Sequence, residues 1–282
     1  MNRRSFLKKT FIGSGGVILT PALSYGNVFD ADFDTFEYKT STPDNNKFDL
    51  EAIDLHVHTT DSFTIENILE LGEKRNVSFG IVEHPAPWAL KDDKDLEAYI
   101  KRLRKYPVFV GLQPTTPGWS KYYSKELLDQ VDYILMDAQM VPQGNGDIWQ
   151  IWQFDTYIDD TDDFMKRYMD YTLEILNNEP INIFGWPLFL PVCISRDYYK
   201  LWTRKRMQQI IDAAKNSNIA IEINDMSHTP HKEFILMAKA AGLKFTFGSD
   251  SRDKNVGRLA YCKRIAIECG LKQEDFYIPT KR

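Results

Sequence analysis

From Leu50 onward the sequence predicts a parallel α/β barrel of seven strands. Three observations carry this reading: seven short apolar runs rich in β-branched residues, amphipathic segments of helical period between them, and polar residues gathered just after the runs. Runs apolar enough to be buried on both faces and joined through helices belong to a parallel sheet with right-handed crossovers. Seven such units favour a closed barrel over an open dinucleotide-binding sheet, and no GxGxxG follows the first run.

The expected strands are "EAIDLH" (51–56), "SFGIV" (78–82), "VFVGL" (108–112), "DYILM" (132–136), "INIFG" (181–185), "IAIEI" (219–223) and "KFTFG" (244–248). Helices are expected between them, where apolar residues recur at helical spacing: Ile65, Ile68 and Leu69; Leu96, Ile100 and Leu103; Phe164, Tyr168, Tyr171 and Ile175; Met207, Ile210, Ile211 and Ala214; Phe234, Ile235 and Ala238; Leu259, Cys262 and Ala266. Thr161 and Thr203 suit N-caps, Pro230 a first helical position, and Gly242 and Gly270 C-terminal stops. The longest connection, 138–160, carries "GNG" and then "IWQIWQF" and reads as a flap with a flexible tip.

In such a barrel, chemistry sits just after the strands, on the C-terminal face. His56 and His58 close the first strand, two apart, so that period-two alternation turns both imidazoles to one side. Glu83 and His84 follow the second strand, Gln113 the third and Gln139 the fourth; Glu222 and Asn224 lie in and after the sixth, and Asp250 follows the seventh. Histidines and acids that track strand ends point to a metal site. His228 and His231 fall in a loop and at a helix start, which suits capping or a rim.

The composition, 43% hydrophobic and 27% charged over 282 residues, is that of a globular chain. Its first 24 residues differ. Arg3, Arg4, Lys8 and Lys9 precede a Gly-rich apolar stretch from about Phe11 to Leu23, too short for an ordinary membrane span, and "RRSFLK" resembles the twin-arginine (Tat) export motif. The expected organisation is therefore a signal peptide at 1–24, a polar linker at 25–47 and a barrel at 48–282, exported to the periplasm with no integral span in the mature chain. Removing residues 1–24 would take the formal net charge from −5 to −9, which argues against a nucleic-acid partner. Cys193, Cys262 and Cys269 form no CxxC, and Cys262 and Cys269 stand about 10 Å apart along one helix, too far for a disulfide, so buried free thiols are expected.

Taken in order, "DLHVHTTDS", "GIVEHP", "GLQ", "DYILMDAQ", "INIFGWP", "IAIEIND" and "FTFGSDSR" resemble the PHP (polymerase and histidinol phosphatase) family. The resemblance implies a distorted seven-stranded (β/α)7 TIM-like barrel and a metal-dependent phosphoesterase. It also exposes departures: Gln113 stands where the family has a bridging Glu, and Gln139, Trp186 and Arg252 stand where it has His. Arg cannot ligate a metal, and Trp186 fills space, so the resemblance implies a site reduced to at most one divalent ion, Zn, Mn or Fe, with His56, His58, Glu83, His84, Gln113 and Asp250 as candidate ligands. In that site Asp250 or His84 would move protons, and Arg252 would clamp an anionic substrate group or pair with Asp250 or Glu83.

All six tryptophans follow strands and either pack the long loops or line the barrel mouth, where rings would suit a small-molecule substrate such as a sugar or sugar phosphate. Two readings follow: a metal-dependent hydrolase, or a non-catalytic binding protein for carbohydrate or anion on the same barrel.

Overall fold

The computed structural model describes residues 50–282; the expected signal peptide (1–24), the linker (25–47) and residues 48–49 lie outside the described residues. The barrel strands are β1 (Ala52–Val57), β2 (Val77–Glu83), β3 (Phe109–Leu112), β4 (Tyr133–Met136), β7 (Ile183–Phe184), β8 (Ala220–Asn224) and β9 (Phe245–Gly248). They pair in parallel in that order, and β1 meets β9 to close the barrel, with Asp54 opposite Phe247. All seven expected strands are present. A two-stranded antiparallel hairpin, β5 (Met140–Pro142) with β6 (Ile148–Gln150), occupies the connection read as a flap.

The helices are α1 (Ile65–Arg75), α2 (Asp93–Leu103), α3 (Lys125–Leu128), α4 (Thr161–Asn178), α5 (Tyr198–Leu201), α6 (Arg204–Asn216), α7 (Lys232–Ala240) and α8 (Ala260–Glu268). The starts of α2, α4 and α6 follow side-chain capping, in which a short polar oxygen accepts N–H groups that have no partner within the helix. Asp92 accepts from the amides of Lys94 and Asp95, Asp160 from those of Asp162 and Asp163, and Thr203 from that of Arg206. The cap of α4 is thus Asp160 and not Thr161, because a carboxylate oxygen reaches two amides at once. Pro230 also lies outside its helix, because α7 begins at Lys232 after His231. Gly242 and Gly270 stop α7 and α8 with positive φ, as expected.

Two apolar layers hold the barrel. The larger lies between strands and helices and includes Ile68, Leu96, Phe164, Ile211, Phe234 and Cys262. The smaller comprises Leu55, Val82, Tyr133, Leu135, Ile183 and Ala220, all from strands, and fills the lumen. Tyr133 crosses that lumen: its hydroxyl donates to the Leu55 carbonyl at 2.7 Å while its ring lies against Gly80 and Gly111, where any Cβ would strike it. Cys262 and Cys269 are buried as expected, whereas Cys193 is exposed in the turn before α5.

Candidate metal centre

The β1 strand changes face at its end. Ile53 and Leu55 join the lumen layer, but Ala52 and Val57 join the outer one, and the register against β2 shifts between Asp54 and Val57. A bulge of this kind re-aims the side chains beyond it. His56 and His58, still two apart, both face Asp250 in the loop after β9, His56 also meets Glu222 of β8, and both are buried. Asp54 secures the turn from below. Its carboxylate accepts the amides of His56 (3.3 Å), Ser249 (2.9 Å) and Gly257 (3.0 Å), which ties the β1 bulge to the loop that carries Asp250.

His56 Nε2 lies 3.3 Å from Asp250 Oδ1, and His58 Nε2 lies 3.5 Å from the same oxygen. Neither nitrogen has a hydrogen-bond partner, although both are buried. On its other side the His56 ring donates Nδ1–H to Glu222 Oε1 at 2.6 Å. Glu222 Oε2 accepts the main-chain amide of Trp186 (2.7 Å) and the side-chain amide of Asn224 (3.2 Å), so this fully buried carboxylate is hydrogen-bonded at both oxygens. Room for it depends on Gly248, where a Cβ would collide with Glu222 Oε1. Asp250 Oδ2 accepts the indole N–H of Trp186 at 3.0 Å, and Oδ1 also accepts from Arg252 Nη1 at 2.9 Å.

Charge is distributed unevenly among these groups. Burial alone would lower the His56 pKa, but the carboxylates of Asp250 and Glu222 outweigh it and raise it to about 10. Burial dominates at His58, which falls to about 3 despite its contact with Asp250. Asp250 feels the same burial, which pushes its carboxyl up, yet His56, His58 and Arg252 together hold it well below the usual carboxylate range. Burial raises Asp54 to about 6, although three amides lean on it.

A second cluster adjoins the first. The ligand atoms of His58, Glu83 and His84 lie within 4.8 Å of one another, as do those of His56, His58 and Asp250, so His58 belongs to both sets. The His58 and His84 rings stack at 5.2 Å. His84 Nδ1 donates to the Gln113 carbonyl at 2.8 Å, which leaves Nε2 as the nitrogen free to ligate or take a proton. The Gln113 side chain turns away: its Nε2 donates to Asp137 Oδ2 at 2.9 Å, and its Oε1, buried, has no partner. His84, Gln113, Asp137 and Asp250 border a cavity of about 350 Å3 whose lining also includes Gln139, Trp152, Trp186 and Arg252.

The structure thus brings His56, His58, Asp250, Glu83 and His84 together as ligand types, with Gln113 beside them and Arg252 paired to Asp250. It does not bring His228 or His231 to the site: His228 stacks on Tyr261 at 4.8 Å, and His231 packs against Tyr198 and Tyr199. Of the tryptophans, Trp152 and Trp186 line the cavity, whereas Trp119 and Trp202 are buried in the outer core. Sequence reasoning passed over Asp137, which anchors Gln113 and accepts the Gln139 amide at 3.1 Å. Its one signal was its place directly after β4.

The donor set fits a divalent ion. Two ligands of one tetrahedral ion at about 2.0–2.1 Å stand roughly 3.3 Å apart, which matches the imidazole–carboxylate separations of 3.3 and 3.5 Å. Two imidazole nitrogens without hydrogen bonds that face one anionic oxygen suit a cation between them, once His56 gives up its proton.

The sequence matches no protein-family model, and no curated protein matches it. Among solved structures, a chain described as a fructose-1,6-biphosphate aldolase from Coccidioides immitis is similar over 80% of this chain and 90% of that one, at 10% identity and a TM-score of 0.27. A superposition that loose leaves the barrel assignment resting on this chain's own strand pairing.

Proposed function

We propose that the protein is an exported metal-dependent hydrolase, acting on phosphoric esters of small molecules, with one ion held by His56, His58 and Asp250. The observation that carries this reading is the pair of buried, unpartnered Nε2 atoms converging on Asp250 Oδ1 beside a cavity. Phosphoric esters are favoured by the ordered PHP-like motifs, and export by the twin-arginine pattern.

The chemistry such an ion supplies is Lewis acidity toward a phosphoryl oxygen and activation of water near neutral pH. The chain's own groups do the rest. Glu222 holds the His56 tautomer that offers Nε2. Asp250, anionic at any working pH, gives the site its negative charge. His84, whose pKa burial lowers, stays neutral near pH 7 and can accept a proton at Nε2. Arg252, half exposed at the cavity, presents a cation to an anionic group.

The alternative, a non-catalytic binder of anions or sugars, draws support from the Arg252–Asp250 ion pair, which already neutralises one ligand. Metal content by mass spectrometry, measured on the exported protein and on His56→Ala, His58→Ala, separates the two. About one Zn, Mn or Fe per chain, lost in the double variant and accompanied by phosphoester turnover, supports the hydrolase. An absence of metal even after reconstitution turns the reading to the binder.

A further inference from the structure

Trp186 is an unusual residue at the heart of the site. It follows β7 with a left-handed backbone, φ 45°, a conformation that a bulky side chain keeps only where surroundings enforce it. Asp250, 64 positions away, has the same φ of 45°. What enforces Trp186 is a pair of carboxylates: its main-chain N–H donates to Glu222 Oε2 at 2.7 Å, and its indole N–H donates to Asp250 Oδ2 at 3.0 Å. The ring itself is buried and is held edge-on against Phe189, with centroids 4.7 Å apart at 71°. One residue therefore reaches both the acid that orients His56 and the acid that faces both imidazoles.

The consequence for Asp250 is a division of labour between its oxygens. Oδ2 is taken by the indole, while Oδ1 faces His56 Nε2, His58 Nε2 and Arg252 Nη1. A carboxylate with both oxygens free can rotate and chelate an ion through the pair of them; one with an indole hydrogen bond on Oδ2 is restrained from doing so. Indole nitrogen is a donor only and cannot itself ligate.

Building on the metal reading above, we infer that Trp186 is a positioning residue of the metal centre, restricting Asp250 to ligation through the single oxygen Oδ1 and so keeping the coordination number low.

Cobalt(II) substitution tests this, because the intensity of its visible d–d bands falls as coordination rises from four. Wild type, Trp186→Phe and Trp119→Phe, which removes an indole from the outer core away from the cavity lining, are titrated with Co2+, followed by visible absorption and by competition with a chelator. Trp186→Phe keeps the ring and the main-chain N–H but loses the indole donor; its Co2+ affinity should fall roughly 10- to 100-fold, as for loss of other groups that hold a ligand in place, and its d–d bands should weaken. Trp119→Phe should keep the wild-type spectrum. A Trp186→Phe protein with wild-type affinity and spectrum overturns the inference alone; a wild type that binds no cobalt overturns the metal reading and the inference with it. Should Trp186→Phe fail to fold, indole N–H resonances of the 15N-labelled wild type and Asp250→Asn proteins decide the matter: one must move, and an unchanged indole region overturns the assignment.

Discussion

Glu222 Oε1 lies 2.6 Å from His56 Nδ1, with both side chains fully buried. The contact sets which nitrogen of His56 is available. A carboxylate can only accept, so Nδ1 keeps its proton, and Nε2 is the nitrogen that offers a lone pair toward Asp250 and His58 once His56 is neutral. The same carboxylate takes Trp186 N and Asn224 Nδ2, so β8 braces the ends of both β1 and β7 through one side chain.

Glu222→Gln should therefore weaken metal binding roughly 10- to 100-fold while preserving the fold, because an amide can still accept from His56 but no longer offers a charged, fixed acceptor. Glu222→Ala should cost stability as well, about 3–5 kcal/mol, since it strands a buried His56 beside Asp250. Calorimetric Zn2+ titration and urea unfolding measure the two effects. Unaltered Zn2+ affinity in Glu222→Gln would make Glu222 a packing residue only.

Metal binding should release a proton. His56, raised to about 10 by Asp250 and Glu222 against the lowering effect of burial, is protonated at neutral pH without metal, whereas His58, near 3, is not. An ion can take His56 Nε2 only when that proton leaves. Between pH 6 and 8 the Zn2+ affinity should rise about tenfold per pH unit, with about one proton released per ion, as read by calorimetry in buffers of different ionisation enthalpy. A slope near zero would show that His56 is already neutral.

Asp137 should leave a stability signature of the opposite kind to an ordinary salt-bridged acid. Burial raises its pKa to about 6 although Gln113 donates to it. In the unfolded chain an Asp titrates near 3.9, so below about pH 4 both states hold the proton. As pH climbs toward 6 the unfolded state loses its proton first, and the native state loses stability through that window before levelling off. Asp137→Asn cannot titrate, so relative to wild type it should gain up to about 3 kcal/mol between pH 4 and 7. Urea unfolding at pH 4, 5.5 and 7 is the measurement; a difference that stays constant with pH would place the Asp137 proton elsewhere.

The barrel was legible in the sequence because each strand is a run buried on two faces, and such runs look alike wherever they sit: "SFGIV" and "IAIEI" announce β2 and β8 within a residue or two. The histidine pair was legible for the same reason of period. What periodicity could not carry was the bulge that turns His56 away from the face Leu55 uses, since a register shift depends on the neighbouring strand. Nor could it show that Glu222 meets His56 across 166 positions, or that Asp137 rather than solvent holds Gln113. Trp186 was read as a filler because tryptophan usually is one; its two N–H bonds emerge only once β7, β8 and the loop after β9 stand side by side.

Arg252 offers the sharpest separation between a structural and a substrate role. Its Nη1 bonds Asp250 Oδ1 at 2.9 Å and the Asp250 carbonyl at 3.3 Å, yet its side chain is 46% exposed and borders the cavity. A guanidinium committed to Asp250 through one nitrogen has others with which to hold an anion, and a charge-assisted hydrogen bond contributes about 1.5–3 kcal/mol. In the Zn2+-loaded protein, Arg252→Ala should thus weaken binding of inorganic phosphate roughly 10- to 100-fold while the metal content stays at the wild-type level. Arg252→Lys should recover only part of the loss, because an ammonium lacks the planar fork. Phosphate titration by calorimetry, with metal measured on the same samples, is decisive. If phosphate binds Arg252→Ala as it binds wild type, the guanidinium serves only as the counter-ion of Asp250; if phosphate affinity falls with the metal retained, the cation at the cavity is what recognises the substrate's charge.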